Sequence, residues 1–252
     1  MIAPAVDVLG LAVSTDAAPS PAAPPATGAA APATRAGGRP RRRSSLLTQL
    51  VADVAAQATA QAGVPLSRVR TIVGSAFGEL GITVEMLGEL VDSGQLSPTR
   101  FHNSVHNSAA GALSIAHGNT AAAMSLAAGN DTVALALLEA MTIVRPGGDP
   151  VLVIVADEPL PTVLTGRPAA SPVAAALVLA APGGGALVHL TDLTPPPATA
   201  PTTVRPVEVD APCAAVLPLA AAIRERKNAR VLLAPPGMPG WSITVQAGPP
   251  LP

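Results

Sequence analysis

Aromatic side chains are almost missing from this chain of 252 residues: tyrosine is absent, and Phe77, Phe101 and Trp241 are the only rings apart from histidine. A surface that stacks on nucleic-acid bases cannot be assembled from so few. Charge is equally sparse. Acidic and basic residues make up 12% of the chain and nearly cancel, giving a formal net charge of −1, so no global field steers a polyanion to it. Nucleic acid is not an expected partner. The single cysteine, Cys213, excludes an internal disulfide and any multi-thiolate metal site. No apolar run approaches the ~20 residues that a membrane span needs, and the first residues lack the basic start of a secretory signal. A cytoplasmic protein with no membrane anchor is expected.

What is present is aliphatic. Apolar residues make up 49% of the chain, much of it alanine, so the core must be built from small and branched side chains. Such cores suit the closely packed backbones of parallel sheets flanked by helices. The low charge also implies an apolar surface that a partner hides.

Val6 to Val13 reads as a buried strand, followed by an Ala/Pro-rich insertion over residues 15–40 without periodicity. Arg39, Arg41, Arg42 and Arg43 then cluster before a helix, where a solvated linker end is favoured over a phosphate patch. From Ser45 as N-cap, Leu46, Leu47, Leu50, Val51, Val54, Ala55 and Ala58 repeat at helical spacing until Gly63. A strand is expected over Val69 to Ala76, a helix over Ile82 to Asp92 ending at Gly94, a loop from Pro98 through Phe101, and a third helix over Asn107 to His117.

Ala121 to Ala128 then reads as a strand of small residues, with Asn130 or Asp131 capping a helix that carries Val133, Leu137 and Met141 and stops at Gly147 and Gly148. Val151 to Ala156 has the continuous apolar run of a strand buried on both faces. Val173 to Ala181 and Ala186 to Leu190 read as strands around a glycine turn at Gly183 to Gly185. Residues 1–193 form the expected main domain. Residues 194–252 begin with a Pro-rich linker and continue as a small extension, with a helix over Ala214 to Arg226 and strands at Val231 to Leu233 and Ile243 to Val245, whose packing the sequence leaves open.

Alternating strands and helices argue for an α/β fold. Its centre holds the most suggestive chemistry. A strand of small residues that turns directly into a helix exposes whatever stands at the turn to backbone N–H groups and the helix dipole, the setting that activates a cysteine or serine nucleophile. The turn at Leu126 to Asp131 has this form but carries Asn130 and Asp131, neither of which can act as a thiolate does. Ordinary helix capping is the plain alternative.

His102 and His106 stand at an i, i+4 spacing that places two imidazoles on one helical face, yet no glutamate follows His102 and no third ligand is evident, so no metal is expected. His117, at a helix end, and His189, in an apolar strand, read as structural. Gly74, Gly78 and Gly81 do not fit a dinucleotide fingerprint, and no nucleotide cofactor is expected. Cys213 has no histidine beside it and reads as a buried or incidental thiol.

The order of motifs resembles the ketosynthase-like N-terminal domain found beside aryl-polyene, fatty-acid and polyketide synthases. It is carried by RRRSSLLTQLVADVAAQATAQAG (Arg41 to Gly63), IVGSAFGEL (Ile72 to Leu80), SPTRFHNSVHNSAAGALSIAHGN (Ser97 to Asn119), SLAAGNDTVALALLEAM (Ser125 to Met141) and VLVIVADEPLP (Val151 to Pro161). The run FHNSVHNSAAG is the most specific of these.

The resemblance implies a thiolase-like layered α/β fold, a mixed and mostly parallel sheet flanked by helices, of which this sequence is expected to hold the first half. Active members place a cysteine at the strand-to-helix turn, which falls on Asn130 or Asp131 here, and take two histidines from the second half. The departure is similar to the chain-length-factor partners of ketosynthases, which lack the nucleophile. In that case no residue is catalytic, and His102, His106 and Asn107 are candidate acyl-site or structural polar residues.

The implied partners are a second copy or, preferably, an active ketosynthase, paired through the strand near Thr120 to Ala128, and an acyl carrier protein. Two other readings stay open: residual acyl-thioester hydrolysis or decarboxylation, using Asn130 with His102 or His106, and a stand-alone scaffold or binding domain.

Overall fold

The computed structural model describes residues 3–15, 44–168, 170–183, 185–196 and 211–248. The Arg cluster and nearly all of the Ala/Pro-rich insertion lie outside the described residues, as does most of the Pro-rich linker.

The elements run β1 (Val6–Ser14), α1 (Leu46–Ala62), β2 (Arg70–Gly74), α2 (Leu80–Ser93), α3 (Pro98–Ser104), α4 (Ser108–His117), β3 (Ala123–Leu126), α5 (Thr132–Ile143), β4 (Val151–Asp157), α6 (Thr162–Thr165), β5 (Val173–Ala180), β6 (Val188–Thr194), α7 (Leu217–Arg224), β7 (Ala229–Leu233) and β8 (Trp241–Ala247). The strands form one eight-stranded sheet in the order β3-β2-β4-β5-β1-β6-β8-β7. It is mixed. Parallel pairing is confined to β3, β2 and β4, and every later neighbour is antiparallel. The expectation of a mostly parallel sheet is corrected here, because parallel neighbours need a long crossover and helical crossovers of that kind serve only these three strands.

Strand β1 lies between β5 and β6 and pairs with both. The expected hairpin around Gly183 to Gly185 is therefore not formed: the strands flanking these glycines are separated by one from the start of the chain. Gly183 instead donates its N–H to Asp7 Oδ2 at 3.1 Å.

Helices cover both faces. On one side Leu47, Leu50, Val51 and Val54 of α1 and Leu113 of α4 meet Val73, Leu152, Ile154, Ala176 and Val178 of the sheet. Ser45 caps α1 by accepting from Thr48 N at 2.9 Å, and Gly63 ends it in the left-handed region at φ 67°, as the sequence predicts. On the other side Val133, Leu137 and Met141 of α5 pack with Val153, Val155 and Leu177, and the tail joins this core through Val216, Leu219 and Ile223. Residues 211–248 thus extend the sheet and cover α5. At the far edge, Arg230 on β7 donates to Thr194 Oγ1 (2.6 Å) and Ser242 Oγ (2.8 Å).

Two further expectations are corrected. The stretch from Pro98 is a helix, because Ser97 accepts from Arg100 N at 3.4 Å with Pro98 in the first turn, a start that proline favours. Helix α5 ends at Ile143, before Arg145 is restricted by Pro146, rather than at Gly147 and Gly148.

Helix α1 lies close enough on β1 that a Cβ at Gly10 would stand 2.2 Å from the carbonyl oxygen of Ala58. Gly10→Ala should therefore destabilise the fold by about 1–3 kcal/mol, read as a lowered urea midpoint.

Candidate functional site

The parallel strands β2, β3 and β4 end together, and the carboxyl ends of such strands are where open α/β sheets bind ligands. Backbone and side-chain bonds lock the three ends to one another. Ser75 N donates to Leu126 O at 3.0 Å, joining β2 to β3. Asp157, at the end of β4 and 1% exposed, accepts from Ser75 Oγ (3.1 Å) and Ala76 N (2.8 Å) on Oδ1 and from Cys213 N (2.8 Å) on Oδ2. Burial raises its carboxyl above the usual range despite these three donors.

At the end of β3 the chain makes a 3₁₀ turn over Gly129–Asp131 and enters α5. Asn130 and Asp131 are exposed, and neither caps the helix with its side chain. Asp131 takes the N-cap position of α5 as expected but makes no side-chain capping bond, and the fully buried Thr132 holds the preceding turn together. Its Oγ1 accepts from Ala128 N at 3.0 Å and donates to Gly129 O at 2.7 Å. Asn130 directs Nδ2 toward Met238 Sδ, 3.7 Å away in the C-terminal segment. The turn thus presents an amide and a carboxylate to solvent.

The histidine pair is divided. His102 is exposed in the last turn of α3, the helix ends at Ser104 with Val105 extended, and His106 lies beyond it, so the two imidazoles do not share a helical face. His106 Nε2 donates to Ser75 O at 2.9 Å, and its ring packs so tightly on Gly78 that a Cβ there would lie 2.7 Å from Cδ2. That bond places His106 one residue beyond the end of β2, as a brace. Asn107 is exposed at the start of α4 without a side-chain capping bond. His189 Nδ1 meets the buried Asp7 Oδ1 at 2.5 Å. Cys213 is fully buried, its Sγ 3.9 Å from Gly74 O, and burial, followed by the nearby Asp157 charge, pushes its thiol well above the ordinary value.

Sequence reasoning missed the groups that organise this region. Ser75 appears only inside the strand expected over Val69 to Ala76, and Glu79, Asp157 and Glu158 are not singled out. The one available signal was an Asp-Glu pair closing the wholly apolar run Val151 to Ala156. Among the described residues, no three His, Cys, Asp or Glu side chains gather as a metal-ligand set, and no helix is long and apolar enough to cross a membrane.

A mixed sheet flanked by helices, with an edge strand running into an apolar helix, defines a thiolase-like ketosynthase fold. The chain belongs to the beta-ketoacyl synthase N-terminal domain family, whose model matches residues 19–229.

Among solved structures, it is similar to a chain of a ketosynthase in complex with its chain length factor from Xenorhabdus doucetiae. The match has 22% identity and a TM-score of 0.68, covering 95% of this chain and 99% of that one. A beta-ketoacyl synthase from Burkholderia phymatum aligns at 14% identity and a TM-score of 0.54, over 84% of this chain and 62% of that one. A type II polyketide ketosynthase in complex with its acyl-carrier protein aligns at 15% and 0.53, over 74% and 62%. These likenesses establish the fold. A comparison by sequence with curated proteins found no match.

Removing the acceptor that binds Ser75, Ala76 and Cys213 would strand three donors, each costing about 1–3 kcal/mol when buried without a partner. Asp157→Ala should lower stability by about 3 kcal/mol or more and loosen the tail. The measurement is the rate of Cys213 labelling by an aromatic disulfide in native buffer, which should be negligible in the parent and readily detectable in the variant.

Proposed function

We propose that this protein is a non-catalytic, chain-length-factor-like subunit that pairs with an active ketosynthase and assists acyl-chain condensation on acyl carrier protein in fatty-acid, polyketide or aryl-polyene assembly. The observation that carries the reading is the turn into α5: it keeps the family's framework and presents Asn130 and Asp131 in place of a thiolate. Condensation needs a nucleophile to hold the acyl chain and a group to assist loss of carbon dioxide. The only thiol is sealed behind Asp157. None of the four histidines hydrogen-bonds to the turn: His106 is bound to Ser75 O, His189 to Asp7, and His102 and His117 occupy the ends of α3 and α4.

The edge strand β3 supports pairing. Among the described residues its outer side has no neighbour in the sheet, Ala123 and Met124 are exposed, and small side chains let a second β3 approach across a two-fold axis. The likeness to a chain of a ketosynthase and chain-length-factor complex agrees with such an assembly. The alternative of residual thioester hydrolysis or decarboxylation is disfavoured by His106, whose Nε2 is already used, and by the exposed position of His102.

The test is condensation of acyl and malonyl carrier-protein thioesters. The chain alone should give no product, and a ketosynthase encoded beside it should co-purify with it and turn over. Met124→Arg, which puts a charge on the β3 edge, should reduce co-purification at least tenfold while leaving the circular dichroism of the isolated chain unchanged. Turnover by the isolated chain that disappears in Asn130→Ala would overturn the reading.

A further inference from the structure

Away from the turn into α5, two carboxyl groups with no buried cation beside them among the described residues join the first helix to the second. Glu79, 2% exposed, occupies the position just before α2, and its Oε1 accepts from Ser45 Oγ (2.8 Å) and Thr48 Oγ1 (3.1 Å) in the first turn of α1. Its Oε2 is buried and has no hydrogen-bond partner. Glu158, 9% exposed, follows β4 and accepts from Gly81 N at 2.9 Å. The fit is close: a Cβ on Gly81 would stand 2.8 Å from Glu158 Oε1.

Among the described residues, the charged groups around this pair do not neutralise it. From α1 come the hydroxyls of Ser45 and Thr48 on Glu79 and the Leu47 backbone N–H on Glu158. The β4 end contributes Asp157 beside Glu158, and α2 contributes Glu85, which adds to the repulsion on Glu158. Arg100 of α3 is held at the surface by Glu85 Oε2 (3.0 Å) and Glu89 Oε1 (3.1 Å). His106, behind Gly78, gives its Nε2 hydrogen to Ser75 O. A cavity of about 440 Å³ lined by Ser45, Gly81, Glu85, Arg100, Asn103 and Glu158 opens this corner to water and protons.

Helix α2 is also thinly held. Met86 is its single buried residue, while Leu87, Leu90 and Val91 are exposed. Its attachment to the body of the molecule is concentrated at its first turn.

We propose that Glu79 and Glu158 form a proton-operated latch that fastens the start of α2 to the first turn of α1 when Glu79 is protonated and loosens it when Glu79 ionises. Burial is the main reason that Glu79 holds its proton, with the Glu158 charge adding to it, and its carboxyl is raised from 4.5 to about 7. A carboxyl raised in the closed state gives its full stabilisation below its ordinary value. The stabilisation is lost as pH rises through the interval up to the raised value, and no further loss follows above it.

The experiment is hydrogen exchange by mass spectrometry on the full chain between pH 5 and 8.5, corrected for intrinsic exchange rates, following peptides from 44–62 and 79–93. In the parent, opening of these peptides should increase by up to about tenfold per pH unit between about pH 5 and 6.5 and level off above about 7. Peptides from β4 and β5 supply the pH-independent reference. Glu79→Gln keeps an oxygen for Ser45 and Thr48 and should flatten the profile at the protected level. Glu158→Gln removes the charge that adds to burial in raising Glu79 and should move the levelling point to lower pH. A parent profile that does not change with pH, a Glu79→Gln profile as steep as the parent's, or an unmoved levelling point in Glu158→Gln would each overturn the latch.

Discussion

The carboxylate of Asp157 closes the structure where three strands and the C-terminal segment converge. A buried carboxylate is tolerated only when donors surround it, and here the donors come from three places in the chain: the Ser75 hydroxyl, the Ala76 amide and the Cys213 amide. Because Ser75 also binds Leu126 O and receives the His106 hydrogen bond, the position of β3 and of the turn beyond it depends on the same anchor. Helix α5 explains why the C-terminal segment must be held so firmly. Its apolar residues face more than one side, with Val133, Ala134, Ala136, Leu137, Ala140 and Met141 all buried, and the sheet covers only one side. The segment from Pro212 to Arg224 supplies the second cover.

The turn into α5 separates architecture from chemistry. Its backbone needs no nucleophile to hold its shape, since Thr132 supplies both hydrogen bonds at the helix start. A residue at Asn130 is therefore free to differ from what a catalyst requires without loss of the fold. The functional proposal rests on side-chain identity at that position more than on any difference in backbone.

Local patterns in the sequence disclosed the parts of the fold that are themselves local. Helix α1 announces itself through Ser45, its 3.6-residue apolar repeat and Gly63, and β4 through an uninterrupted apolar run. Helix α3 was lost because Ser97-Pro98 also suits a turn, and proline's fixed φ serves both. The false hairpin at Gly183 to Gly185 arose because adjacency in sequence says nothing of a strand that enters between β5 and β6 from the other end of the chain. The spacing of His102 and His106 suggested a shared face, but Val105 breaks the helix between them. The acids were the least legible: Glu79, Asp157 and Glu158 are remote or unremarkable in sequence, and only the convergence of β2 and β4 brings them together.

The two ends of the sheet are unlike. Strand β3 is short and bare, with Ala123 and Met124 outward, whereas β7 carries Arg230, bound to hydroxyls of β6 and β8, and is followed by Pro235 and Pro236. A sheet with two receptive edges can add copies without limit and grow into a fibre; charge and proline are the usual means of blocking that growth. With one edge guarded, any strand added at β3 would end growth after a single step, so the polarity of the sheet itself favours a closed assembly over an open polymer.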